Sequence, residues 1–349
     1  MNKSNKMHFP PQVLLQGDCE DQLKAIEGRR ILVIGSVRSA ALMHWTALFP
    51  DRSVAVFAGS LPHSPQAALA ECLVAAREFK PDTLIAIGSG SAIDLGKAML
   101  DSTPAELIAI PTSLGGGEMT NTWGVRTSGG TKEGKGGFRY LAKKVIYDAR
   151  LLATLPKGEL AASGINSWAH CIEAFYSLKQ HWVGKSAAVQ GGRMWPDLLL
   201  SSQQQPIASL AEKLFEAASL AGFAINTCGL GLHHAACHVI GGATGLTHGL
   251  INAIALPKTL AINREIAPDA IRATEQAMLI DDLVAFSRKL IRQLGLPQSL
   301  VEMNVPPHLA GTLAEALMSA HHLQNNPAKL DKDRAERLMH AIFSGDVPD

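Results

Sequence analysis

Charge of either sign is scarce in this chain: 18% of its 349 residues are Asp, Glu, Lys or Arg, and 32 basic against 31 acidic residues leave a net charge of +1. Nonspecific phosphate-backbone binding needs a basic surplus, and base stacking needs aromatic platforms; with aromatics at 5% the chain has neither. No nucleic-acid partner is expected. Paired cysteines are lacking as well. Cys19, Cys72, Cys171, Cys228 and Cys237 form an odd set without C-x-x-C spacing, which points to reduced thiols in a cytoplasmic protein. The opening MNKSNKMHFPPQ has no apolar run of the kind a secretory signal carries. One stretch, Ala217 to Pro257, imitates a membrane span in containing no Asp, Glu, Lys or Arg. Four histidines, two asparagines and repeated glycines interrupt it, and lipid tolerates these poorly. A buried helical hairpin lining a pocket is the expectation, with no membrane partner.

What the chain has is apolar mass. Hydrophobic residues make up 47%, enough at this length for two domains with sizeable cores. The first half alternates strand-like and helix-like stretches. Ile31–Ile34, Ser53–Phe57, Thr83–Ile87 and Glu106–Pro111 are short continuous apolar runs, with helical spacing over Pro65–Phe79 and again up to Leu100. Such runs indicate a parallel sheet covered on both faces. A β-hairpin region is expected over Trp123–Ile146. After Asp148 strand signals stop and helical composition takes over, with breaks at Pro206, Pro257, Pro268 and Pro297. The expected fold is α/β: an N-terminal Rossmann-like parallel-sheet domain, residues 1–153, followed by an all-helical C-terminal domain, residues 154–349, with a cleft between them.

Gly88-Ser89-Gly90-Ser91 ends a predicted strand and opens a predicted helix. There backbone N–H groups and the helix N-terminus can hold a pyrophosphate, and glycine allows close approach. Asp94 and Lys97 on the same helix read equally well as surface residues or an internal ion pair. Gly115-Gly116-Gly117 is costly in folding entropy and points to a loop pressed against a ligand. Asn166 and His170 are spaced i, i+4 on one predicted helix, as are His234 and His238 on another, and His248 follows after a glycine-rich turn. Several imidazoles in one uncharged segment suit a divalent metal, and they suit equally a metal-free pocket that binds carboxylates or supplies protons. His233, adjacent to His234, is expected to point away from it.

Gly88–Ser91, Ile110-Pro-Thr112 with Glu118-Met-Thr120, Val145-Ile-Tyr-Asp148, Ser163 to Glu173, Gly231 to Gly242, His248 and Asn325-Asn-Pro327 occur in this order. Together they resemble the iron-containing (group III) alcohol dehydrogenase superfamily, dehydroquinate-synthase-like in fold, and within it the maleylacetate reductase branch. The resemblance implies that Gly88, Ser89, Gly90, Ser91 and Thr112 bind NADH or NADPH, with Ser36 at the end of an earlier strand. It matches His170, His234 and His248 to the three histidine ligands of metal-dependent relatives, and His238 to a further active-site histidine. The fourth ligand position, an Asp in those relatives, is Asn166 here, as in the branch taken to work without metal. Lys132 and Arg139 match basic residues of that branch's substrate-side loop, and a homodimer is implied. Leu114, Gly115, Gly117, Gly136, Gly137, Thr247 and Trp168 depart from the branch's usual residues, so the substrate-facing surface has changed more than the scaffold. The reading is an NAD(P)H-dependent, metal-independent reductase of a conjugated, anionic oxo acid, with His238 as proton donor. Its competitors are a metal-dependent alcohol dehydrogenase or carbonyl reductase, and a nonredox lyase or silent binding protein on the same fold.

Overall fold

The computed structural model describes residues 10, 12–15, 19–62, 64–127 and 132–348. The chain divides into two compact units. Unit 1 holds the described residues up to Leu155 together with Pro206–Gly222; unit 2 holds Pro156–Gln205 and the described residues from Phe223 onward. The helical half is therefore not one block, because the division falls inside the Ile207–Cys228 helix.

The described residues of unit 1 form eight strands: β1 (Gln12–Leu14), β2 (Arg30–Ile34), β3 (Ser53–Phe57), β4 (Thr83–Gly88), β5 (Glu106–Pro111), β6 (Thr122–Arg126), β7 (Lys132–Gly136) and β8 (Lys144–Ile146). Six form one sheet in the order β1-β8-β5-β4-β2-β3, and every pairing in it is parallel. β4 is buried along its whole length, as its unbroken apolar run requires of a strand covered on both faces. Ile31, Val33, Ile85, Ile87, Ile108 and Ile110 pack in the core on one side. On the Gly90–Met99 helix, a Cβ at Gly96 would come within 2.8 Å of Ala86 Cβ, so glycine lets that helix lie directly on β4.

Two expectations need correction. The hairpin is confined to β6 and β7; Lys144–Ile146 instead enters the parallel sheet between β1 and β5. Strands of three residues carry too little pattern to reveal their partners. Pro257 does not break a helix: it lies inside His248–Ile266, and Pro196 lies inside Trp182–Gln204. A buried helix packed on several sides can lose one backbone bond to proline and continue.

Unit 2 is helical. Leu232, Ala236, Ile240, Ile251, Ile254, Leu313, Leu338 and Ile342 form its core. The uncharged Ala217–Pro257 stretch is spread over three helices, and among the described residues no helix is long and apolar enough to cross a membrane.

Candidate active site

Parallel pairing puts the carboxyl ends of β2, β4 and β5 on one edge of the sheet, the edge where ligands bind in open α/β folds. Ser36, Gly88–Ser91 and Thr112 all follow those ends. Thr112 N–H donates to Gly88 O at 2.9 Å, which fixes the two loop starts against each other. Gly88 has φ +143, a conformation that side chains disfavour. Gly90 opens the helix, and a Cβ built there meets nothing within 4 Å. An unobstructed helix N-terminus of this kind suits a phosphate, so Gly88, Ser89, Gly90, Ser91 and Thr112 are the residues that would hold a dinucleotide. Ser36 Oγ accepts from Ser39 N–H and caps the short Val37–Ala40 helix, and no acidic residue stands at this strand end.

The middle glycine of the run is accounted for within the protein. Gly116 has φ +72, and a Cβ there would lie 2.9 Å from both Ala218 O and Gly222 Cα. Glycine is required at Gly116 because the loop presses there on the backbone of a helix. Lys97 is fully buried and donates to the Gly117 and Thr120 carbonyls, while Asp94 Oδ2 accepts from Gly124 N–H at 3.4 Å. Arg139 donates to Leu100 O and lies 3.6 Å from Asp101, so its guanidinium is already engaged in unit 1. The side chain of Lys132 lies outside the described residues.

In unit 2 the histidines converge. The His170 and His234 rings stack with centroids 4.5 Å apart; His234 lies 5.5 Å from His248 and 6.1 Å from His238, and His238 lies 5.4 Å from His248. Asn166 joins them: its Oδ1 is 3.0 Å from His234 Nε2. On the opposite side of that ring, Nδ1 is 2.6 Å from Glu173 Oε2. The neutral ring has one proton for these two contacts: on Nδ1 it donates to the Glu173 carboxylate, and Nε2 then accepts from the Asn166 amide, whose orientation is assigned from this pattern. Both nitrogens of His234 are thus committed inside the protein. His233 is also committed, to Thr259 Oγ1 at 3.0 Å and Asn252 Oδ1 at 2.7 Å, which accounts for its expected exclusion from the site.

Burial sets the protonation states. It pushes His170 down to about 3 and His233 to about 4, and holds His234 well below the ordinary imidazole value. The same desolvation raises Glu173 to about 7, although three backbone N–H groups and Tyr176 donate to it. His170 Nδ1 is buried without a hydrogen-bond partner. His238 and His248 are only partly buried.

Three contributors had been given no role: Glu173 and Asn326, which lie inside the quoted motifs, and His322, which does not. Glu173 receives the N–H groups of Gly231, His233 and His234, while Asn326 Oδ1 takes that of Leu232 at 3.1 Å. These are the orphan donors at the start of the Leu232–Thr244 helix, so one carboxylate both caps the helix and orients its imidazole. The available signal was that Glu173 is the only formal charge between Glu159 and Lys179. His322, 5.0 Å from His238, comes from a segment far along the chain and carried no such signal.

For the metal that group III relatives use, the donor set is poor. It offers imidazoles and a neutral amide, and His234 Nε2 already bonds Asn166. Among the described residues no three His, Cys, Asp or Glu side chains converge as a ligand set. With an amide in place of a carboxylate, an ion would rest on the imidazoles of His170, His234 and His248, a neutral set that can still bind Zn²⁺.

Residues 10–149 match the iron-containing alcohol dehydrogenase family, and residues 160–343 match the C-terminal part of the Fe-containing alcohol dehydrogenase family. Maleylacetate reductase 1 of Cupriavidus pinatubonensis (strain JMP 134 / LMG 1197) is 31% identical, over 94% of this chain and 93% of that protein. The crystal structure of maleylacetate reductase from Agrobacterium tumefaciens superposes with a TM-score of 0.87 at 28% identity, covering 100% of both chains. That of Rhizobium sp. strain MTP-10005 gives 0.85 at 27% identity, covering 97% of each.

Proposed function

The chain belongs to the iron-containing alcohol dehydrogenase family, and we propose that it uses NAD(P)H to reduce the C=C bond of a conjugated oxo acid without a metal. It is an oxidoreductase that uses a nicotinamide dinucleotide. The observation that carries the finer reading is Asn166, an uncharged amide bonded to His234 where, by resemblance, metal-dependent relatives have Asp.

The bound dinucleotide supplies a hydride; the rest of the chemistry falls to the chain. Gly88–Ser91 and Thr112 would hold its phosphates through backbone. Without a Lewis acid, a simple alkoxide would be hard to hold. An enolate formed by conjugate addition spreads its charge, and neutral imidazole N–H groups can stabilise it. His170 and His234 are held neutral by burial, so neither supplies a proton as an imidazolium at neutral pH. His238, partly exposed beside His248, is the group placed to protonate the reduced substrate. His170 and His248 orient the substrate, and His234 positions the cluster through Asn166 and Glu173.

Product identification after mixing 3-oxo and 4-oxo enoic acids with NADH or NADPH tests the reading. A saturated oxo acid is expected; a product with its C=C bond intact and a new hydroxyl would overturn it. Absence of any nicotinamide fluorescence change would favour a nonredox protein. Because Gly35-Ser36 follows β2 with Arg38 nearby and no acid, NADPH is accepted together with NADH. An NADH preference above about 100-fold, roughly 2.7 kcal/mol, would contradict this. The five cysteines are buried and none forms a disulfide among the described residues, which supports a reducing, cytoplasmic setting. The resemblance supports a homodimer, which light scattering would check.

A further inference from the structure

Lys97 stands outside the chemistry just described, yet it is 0% exposed. An ammonium is buried only where oxygens replace its water. Lys97 Nζ has four within reach: Gly117 O at 2.6 Å, Thr120 O at 2.6 Å, Thr120 Oγ1 at 2.9 Å and Thr122 O at 3.1 Å. All belong to the single loop that leads from the glycine run into β6. Gly90, Asp94 and Lys97 are spaced four and three apart on one helix and share a face. The loop and the start of β6 together meet that face at all three positions. A Cβ at Gly117 would lie 3.9 Å from Gly90 Cα, Asp94 takes the Gly124 N–H at 3.4 Å, and Lys97 takes the carbonyls.

We infer that Lys97 is a positioning residue for the dinucleotide: it clamps the Gly117–Thr122 loop along the helix and thereby sets the wall of the phosphate cradle that opens at Gly90. The inference rests on the assignment of Gly88–Ser91 as that cradle. The cation touches no cofactor itself. It holds the loop carbonyls inward, away from the place where a diphosphate would meet them as like-charged dipoles.

The test measures NADPH binding by fluorescence titration, alongside Tm, for the full chain and three variants. Lys97→Met should raise the NADPH Kd by about tenfold or more, the scale of losing a buried charged hydrogen-bond donor, with kcat at saturating NADPH largely kept. Thr120→Val, which removes one acceptor, should shift Kd in the same direction by less; it keeps the test decisive if Lys97→Met does not fold. Leu23→Ala truncates the core of the same unit and should lower Tm with Kd unchanged. If Lys97→Met and Thr120→Val lower only Tm, or if Leu23→Ala weakens NADPH as much as they do, the inference is overturned. If the unmodified chain binds neither NADH nor NADPH, the cradle assignment fails first and this inference with it.

Discussion

Unit 1 builds its candidate cofactor cradle from backbone, whereas unit 2 builds its cluster from side chains. In the cradle the determining features are a missing Cβ at Gly90, a positive φ at Gly88 and a strand-end hydrogen bond from Thr112 to Gly88. In the cluster they are imidazoles contributed by separate helices and locked by Glu173 and Asn166. Backbone recognition is indifferent to pH and to most substitutions that add no bulk. Side-chain recognition depends on where each proton lies. The two units should therefore fail in different ways.

The largest expected effect is on chemistry in unit 2. Removing a general acid costs about 10²–10⁴-fold in rate, so His238→Ala should lower kcat by that order while NADPH affinity stays near its original value. Steady-state kinetics with a separate NADPH titration checks both halves. An unchanged kcat would remove His238 from the mechanism; a parallel loss of NADPH binding would break the division of labour between the units.

Acid should separate the units next. His170 and His233 have folded values of about 3 and 4, below the ordinary 6.5 of an unfolded histidine. Their contribution is complete above pH 6.5 and is lost as pH falls toward those folded values. Glu173, raised from 4.5 to about 7, acts in the opposite sense: its contribution is present below pH 4.5 and is lost as pH rises through 7. Between pH 6.5 and 4.5 two histidines oppose one glutamate, and each uncompensated proton is worth about 1.4 kcal/mol per pH unit. In unit 1 the described histidine, His44, is exposed. Hydrogen exchange at pH 7 and pH 5 should show protection falling more in the Lys157–Tyr176 and Leu232–Thr244 helices than in β4 and β5. Equal loss in both units would contradict the contrast.

Within unit 1, two glycines should part company. Gly116→Ala forces a side chain into φ +72 and against the backbone of Ala218 and Gly222, and should cost about 1–3 kcal/mol in denaturant unfolding. Gly90→Ala meets no neighbour within 4 Å, so stability should hold while NADPH binding weakens, because the methyl obstructs the helix N-terminus. Equal behaviour of the two would mean that Gly90, too, is structural.

These contrasts follow how the residues could be read. β2 to β5 were legible because short continuous apolar runs that alternate with helical stretches read as buried parallel strands, and the i, i+4 histidines because helical spacing is local. The role of Gly116 was not, since its cause is Gly222, a hundred residues away. Glu173 lay inside a quoted motif, but its five donors come from Tyr176 and from the start of another helix, and no local spacing announces them. β1 and β8 pair with each other across most of unit 1, over three residues each.

The smallest expected effect is that of chelation. Replacing a carboxylate by the Asn166 amide removes the charge that best offsets a hard divalent cation, and His234 already spends both ring nitrogens on Asn166 and Glu173. Imidazoles can still attract adventitious Zn²⁺, so metal content alone does not decide the matter. Activity does. Dialysis against EDTA should leave kcat unchanged, and added Fe²⁺ or Zn²⁺ should not raise it. A loss restored by either ion would make the cluster a ligand set and transfer the chain to the metal-dependent reading. The comparison would then change in kind, because the proton positions inferred for His234 would give way to lone pairs directed at the ion.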